Sequence, residues 1–171
     1  IGIARDITEC KKAEGELRES EERYRTLYET IKDGMAGGPM DGRILECNQA
    51  LADMLGYSKA ELRNLTYQEI TPERWHQMEA KIVEEQILKR GYSDEYEKEY
   101  IRKDGTVFPI SARVWLRKDK DGKPVGMWGI VRDITERKRA EEALKESEHQ
   151  KKAILDSTPD IAWLKNKEGV Y

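Results

Sequence analysis

Residues 41–62 read DGRILECNQALADMLGYSKAEL. Asp41-Gly42 is a hairpin turn signal, and Arg43 to Cys47 alternate in polarity as a strand does. Asn48 stands where a helix carrying Ala50, Leu51 and Met54 must begin, and an Asn side chain can cap its first turn. Gly56 suits that helix's C-terminal end. Ser58 with Glu61 forms the capping-box pattern of a second short helix. The stretch predicts the second half of a hairpin over residues 34–47, followed by a cluster of short helices.

Downstream, the punctuation continues. Thr66 with Glu69 fits another capping box, and Thr71-Pro72 fits an N-cap followed by proline at the first helical position. Beyond Pro72, the residues Trp75, Met78, Ile82, Val83 and Ile87 share one face of a core-packing helix. The character then changes to strands. YEKEYIR (96–102) leads into the turn KDGT (103–106). TVFPISARVWL (106–116) alternates Phe108, Ile110, Ala112, Val114 and Leu116 on one face. A second turn, DKDGKP (119–124), precedes the last strand, VGMWGIVRDI (125–134). Three antiparallel strands plus the early hairpin predict an α+β fold, a five-stranded antiparallel sheet with helices across one face.

The last strand also ends in a repeat. GIVRDITE at 129–136 nearly restates GIARDITE at 2–9, an offset of 127 (129 minus 2). Residues 2–21 and 129–148 are identical at 14 of 20 positions, and Asp33/Asp160 and Gly42/Gly169 keep the same offset. A fixed period of this length marks a modular array of domains. Between the repeats, Cys10, Ala13, Leu17, Ser20, Tyr24, Leu27 and Ile31 recur at alternating steps of three and four, the spacing of a heptad seam. Ala140, Leu144, Ser147 and Ile154 repeat it more weakly. The expected division is the tail of a preceding unit (1–8), a coiled-coil-like linker helix (9–31), a complete unit (32–135), an exit linker helix (136–157) and the start of a following unit (158–171).

Composition bounds the function. Among 171 residues, 38% are charged and 37% hydrophobic, which suits a globule flanked by exposed helices. A net charge of -3 offers no electrostatic case for nucleic acid or an anionic membrane. Cys10 and Cys47 set up neither a disulfide framework nor a metal spacing, so a reducing, cytoplasmic setting is expected. No apolar run approaches the roughly 18 residues that a membrane span needs.

In their order and spacing, these segments resemble a PAS domain. DGRILECNQALADMLGYSKAEL resembles its first half. YIRKDGTVFPI (100–110) with GMWGIVRDITERKRAEE (126–142) resembles its C-terminal half, the PAC motif. The resemblance covers about residues 22–135. It implies the PAS fold, a glove-like sheet with a helical cradle, flanked here by linker helices. It also implies a sensory or dimerising role, as in the input halves of sensor histidine kinases and, less often, diguanylate cyclases. In that family the Asp-Ile-Thr motif ends the last strand and hands the signal to the exit helix; Arg132, Asp133 and Thr135 match it. Thr135 is also a plausible N-cap. One departure stands out. Where the family has bulky strand formers, residues 35–40 read MAGGPM, which predicts a bulged first strand or a roomier cradle.

The expected cradle lining is Met54, Leu55, Trp75, Met78 and Ile82 from the helices, with Phe108, Ile110, Val114 and Met127 from the sheet. A small, unidentified ligand there is an open expectation. Haem and flavin are disfavoured. His76 has Glu79, Ala80 and Val83 as helical neighbours and is expected to face outward, and Cys47 lacks the flavin-binding context. No catalytic constellation, phosphate loop or phosphoacceptor histidine is visible, so this segment is not expected to be an enzyme. Trp115 and Trp128 should lie on the outer sheet face, covered by the entry helix through Tyr24, Leu27 and Tyr28 or by a second subunit. Leu17, Tyr24, Leu27, Ile31, Trp115 and Trp128 are the candidate homodimer contacts. Neighbouring PAS units and a kinase domain of the same chain are the other expected partners. The alternative roles are a ligand-free dimerisation spacer or the input of a diguanylate cyclase.

Overall fold

The computed structural model describes residues 2–157, with side chains over 14–154. The expected start of a following unit, residues 158–171, lies outside the described residues, as do the side chains of Cys10 and Ala13. The chain divides at the Asp133–Ile134 boundary into two units. The first holds helix α1 (Gly2–Thr30) and five strands: β1 (Gly34–Gly38), β2 (Glu46–Cys47), β3 (Tyr96–Ile101), β4 (Val107–Lys118) and β5 (Pro124–Asp133). Between β2 and β3 run α2 (Gln49–Leu55), α3 (Lys59–Leu62), a 3₁₀ turn (Glu73–Trp75), α4 (His76–Ile82), a π-helical turn (Val83–Ile87) and α5 (Leu88–Arg90). The second unit carries helix α6 (Thr135–Ser157).

All strand pairs are antiparallel, in the order β2-β1-β5-β4-β3. The first and last strands of the unit are therefore neighbours at the centre of the sheet. Leu51, Leu55, Leu62 and Ile70 from the helical layer bury against Phe108, Ile110, Ala112 and Val131 from the sheet. The alternation predicted along β4 holds in its first half, where Phe108, Ile110 and Ala112 are buried, but Ser111 is buried as well, and Val114, Trp115 and Leu116 are alike half-buried.

Several local expectations are met atom by atom. Asn48 caps α2 by accepting from the Leu51 N–H, and Gly56 closes the helix in the left-handed conformation at φ 75°. Ser58 and Glu61 form the reciprocal capping box of α3. The turn at Gly42 has φ 87°, which only glycine adopts without strain.

Other expectations are corrected. Residues 2–8, expected as a strand tail, continue α1 as helix. A strand needs a neighbour for its backbone hydrogen bonds, whereas a helix satisfies them internally. Thr66 and Glu69 make both capping-box bonds, but around a turn. Thr71 is no cap: its hydroxyl donates to the Tyr67 carbonyl and accepts from Lys98. Thr135 is the first residue of α6, because the Lys138 N–H already reaches the Ile134 carbonyl at 2.9 Å; the cap position falls on Ile134. β1 is not bulged. Gly34 to Gly38 pair with Val131 to Met127 without a register shift.

Candidate functional site

The helical layer and the sheet border a half-open cavity of about 90 Å³. β1 and the hairpin loop form one wall, with Ala36, Gly38, Pro39 and Ile44. Glu79, Val83 and Ile87 form the roof. Tyr96, Tyr100, Ala112, Val114, Met127, Gly129 and Val131 form the floor. Small residues leave this space: Ala36 pairs with Gly129 across the inner face. The unusual glycines have different jobs. A Cβ at Gly38 would lie 1.8 Å from the Arg43 carbonyl oxygen, and one at Gly37 would lie 2.7 Å from the Trp128 ring. The MAGGPM stretch thus lets the hairpin close tightly and makes room for a tryptophan.

Of the expected lining, Val114 and Met127 border the cavity. Leu55, Phe108 and Ile110 are buried in the adjoining core, and Met54 packs against it. Trp75, Met78 and Ile82 do not reach the cavity. The Trp75 indole instead donates to Glu99 at 2.8 Å. The reason is helical phase. The face turned inward is Glu79–Val83–Ile87, and the π-helical turn carries the last two. His76 is corrected too. It is half-buried, its Nε2 lying 2.9 Å from the Thr71 carbonyl and 3.1 Å from that of Gln68. Cys47 is buried, and burial pushes its thiol pKa up.

A buried ion pair was not foreseen. Lys98, on the inner face of β3, is 2% exposed and Glu79 5%. The Lys98 ammonium donates to Glu79 Oε1 and to the Thr71 hydroxyl at 3.0 Å, and it lies 4.5 Å from the Tyr100 ring centre. Burial pulls the lysine pKa below its ordinary value, while the charge of Glu79 opposes that pull. Strict alternation gave the signal: Lys98 shares a face with Tyr96 and Tyr100.

The end of β5 is tied on both sides. Arg102 donates to Asp133 at 2.8 Å and also to the Met54 carbonyl, while its guanidinium lies 3.7 Å from the Phe108 ring centre. Asp133 is thereby linked to the end of α2. Arg132 grips Asp33, in the link between α1 and β1, through two bonds of 2.9 and 2.7 Å. Trp128 meets Tyr28 of α1 edge-on at 6.1 Å, and Tyr24 stacks on Tyr28 at the same distance. The outer face is thus covered in part by the entry helix, but not through Leu27. Leu17, Tyr24, Leu27 and Ile31 are between 45% and 62% exposed. Trp115 pairs with Trp128 across β4 and β5, half-buried beside Arg113.

A family model described as PAS domain matches residues 32–136, and the chain belongs to that family. It is a non-catalytic sensory domain of the kind found in signalling proteins. The methyl sulfide methyltransferase-associated sensor of Methanosarcina acetivorans is 39% identical over 131 residues, 74% of this chain and 12% of that protein. The probable diguanylate cyclase DgcE of Escherichia coli is 34% identical over 126 residues (74% and 11%). The sensor histidine kinase TmoS of Ectopseudomonas mendocina is 29% identical over 136 residues (78% and 14%). The chain therefore spans between 11% and 14% of the length of these three relatives. Among solved structures, a PAS domain from Colwellia psychrerythraea superposes with a TM-score of 0.63 at 20% identity, covering 67% of this chain and 97% of that one. Among the described residues, no helix is long and apolar enough to cross a membrane, and no three His, Cys, Asp or Glu side chains are grouped to hold a metal.

Proposed function

We propose that this chain is the sensory relay segment of a cytoplasmic, multidomain sensor histidine kinase, working as a homodimer within a tandem array of PAS units. One observation carries this reading. β5 is at once a wall of the cavity, through Met127, Gly129 and Val131, and the strand that runs through Asp133 into the exit helix. A shift of the cavity wall moves the root of α6. Arg102 ties the end of β5 to α2, and Arg132 ties it to the entry link. The tandem reading draws on the repeat, which restates both partners of the second anchor: Arg5 stands at the Arg132 position and Asp160 at the Asp33 position. The dimer reading draws on the exposed heptad stripe of α1.

The kinase output draws support from the likeness to a sensor histidine kinase, and the likeness to a probable diguanylate cyclase favours a second reading with that enzyme downstream. In the full-length protein, Asp133→Ala should lower signal-dependent autophosphorylation at least tenfold while the domain still folds. Normal signalling by the variant removes the relay role. A cyclic dinucleotide product in place of phosphohistidine selects the second reading.

A further inference from the structure

We propose that the cradle cavity binds a small neutral molecule that donates a hydrogen bond to Glu79 Oε2 and lays a short apolar body against Val83, Ile87, Val114 and Met127. The inference rests on the sensory reading above and names the ligand class for the same cavity.

The starting point is an unpartnered atom. Glu79 is 95% buried (5% exposed) and borders the cavity. Lys98 occupies its Oε1, while its Oε2 is buried with no hydrogen-bond partner. A carboxylate oxygen left so in a protein interior is costly, and such an atom calls for a partner. A carboxylate oxygen takes a donor, and a molecule held in the cavity that Glu79 borders would supply one.

Charge narrows the class further. Glu79 and Lys98 already neutralise each other. A cationic ligand on Oε2 would sit beside the ammonium on Oε1, and an anion would face the carboxylate, both in a region of low dielectric. A neutral hydroxyl or amide N–H adds the missing bond without adding charge.

Size and lining complete the argument. On the scale where one water takes about 10–15 Å³, a space of about 90 Å³ holds several non-hydrogen atoms. A lone buried water needs two to four polar partners. Val83, Ile87, Val114 and Met127 give the cavity an apolar stretch that suits a carbon chain, beside the phenol rings of Tyr67, Tyr96 and Tyr100.

The test uses the 171-residue chain with three four-carbon probes of different charge: butan-1-ol, butylammonium and butyrate at pH 7. Binding is followed by amide and methyl NMR shifts and by thermal unfolding. Butan-1-ol should give saturable shifts at Val83, Ile87, Val114 and Met127 and raise Tm, with an affinity at least tenfold above that of either charged probe. The apolar replacement Glu79→Leu with Lys98→Met should lower the alcohol affinity at least tenfold, and Val83→Phe, which fills the space, should abolish the shifts. Equal response to the three probes, shifts away from the cavity, unchanged affinity in the double variant, or no saturable alcohol binding with water alone in the cavity overturns the proposal. Should the double variant give no dispersed spectrum, Val83→Phe and the probe series on the unaltered chain decide. The relay reading is judged separately. Lost alcohol selectivity with Asp133→Ala still uncoupling output removes only this ligand class. Intact binding with normal output from Asp133→Ala removes the relay.

Discussion

Asn48 shows how much one buried side chain can hold. Fully enclosed, it accepts from the backbone N–H groups of Leu51 and Met35 and donates to the carbonyls of Tyr28 and Asp33. Those four bonds join the end of α1, the start of β1 and the start of α2. Replacing it with alanine leaves buried backbone groups unpaired, so Asn48→Ala should cost about 2–4 kcal/mol in chemical denaturation. The variant should also speed amide exchange in the last turn of α1, and unchanged exchange there would deny Asn48 its role in docking that helix. Its capping role was legible in the sequence, because the Leu51 N–H is three residues away. Its other partners lie as far as 20 residues upstream, and no local pattern announces them. Glu79 and Lys98 were missed for a related reason. Each carries a charge, which is ordinarily left to solvent even where, as at Lys98, alternation places it beside Tyr96 and Tyr100; only their pairing across 19 residues makes burial tolerable.

At the scale of elements, the roof of the cradle departs most from expectation. A regular helix after Pro72 would turn Met78 and Ile82 inward. Val83 and Ile87, expected on the inward face, do border the cavity, but they share that face with Glu79, while Trp75, Met78 and Ile82 stay away from it. The caps of α2 and α3 were legible, because a cap is a contact within three residues. Helix α1 presents two faces. Tyr28 covers Trp128, whereas Leu17, Tyr24, Leu27 and Ile31 stand exposed along the heptad line. The Arg18–Glu22 and Glu19–Arg23 pairs along it are solvent-exposed and add only tenths of a kcal/mol each, and the proposed homodimer would cover the stripe with a second copy of the helix. Leu17→Glu with Leu27→Glu should convert a dimer to a monomer in sedimentation equilibrium, and dimers that persist unchanged would exclude the seam.

Across the whole molecule, the sheet order places the first and last strands side by side, so that the entry and exit segments of the unit are joined through β1 and β5. The same enclosure governs the response to pH. Tyr28, Tyr67, Tyr96 and Tyr100, four of the eight tyrosines, have phenol pKa values raised mainly by burial, with the charge of Glu79 adding at the last three. The folded chain holds these protons more tightly than the unfolded one, so the stability they contribute is full below about pH 10 and falls as pH rises beyond it. Lys98, with its lowered pKa, works in the opposite direction as pH approaches about 10.4, whereas the buried Cys47 thiol works with the phenols. Absorbance at 295 nm should therefore report these four phenols ionising together with unfolding; their ionisation in a chain still folded by circular dichroism would contradict the burial. In the proposed relay, a change in the cradle reaches α6 through the clamped end of β5. A double-mutant cycle on ligand-dependent output of the full-length protein tests it most directly. If Arg102 and Asp133 act as one clamp, Arg102→Ala, Asp133→Ala and the double variant should each lose the response to the same extent. Losses that multiply in the double variant, or a normal response in either single variant, would contradict the account.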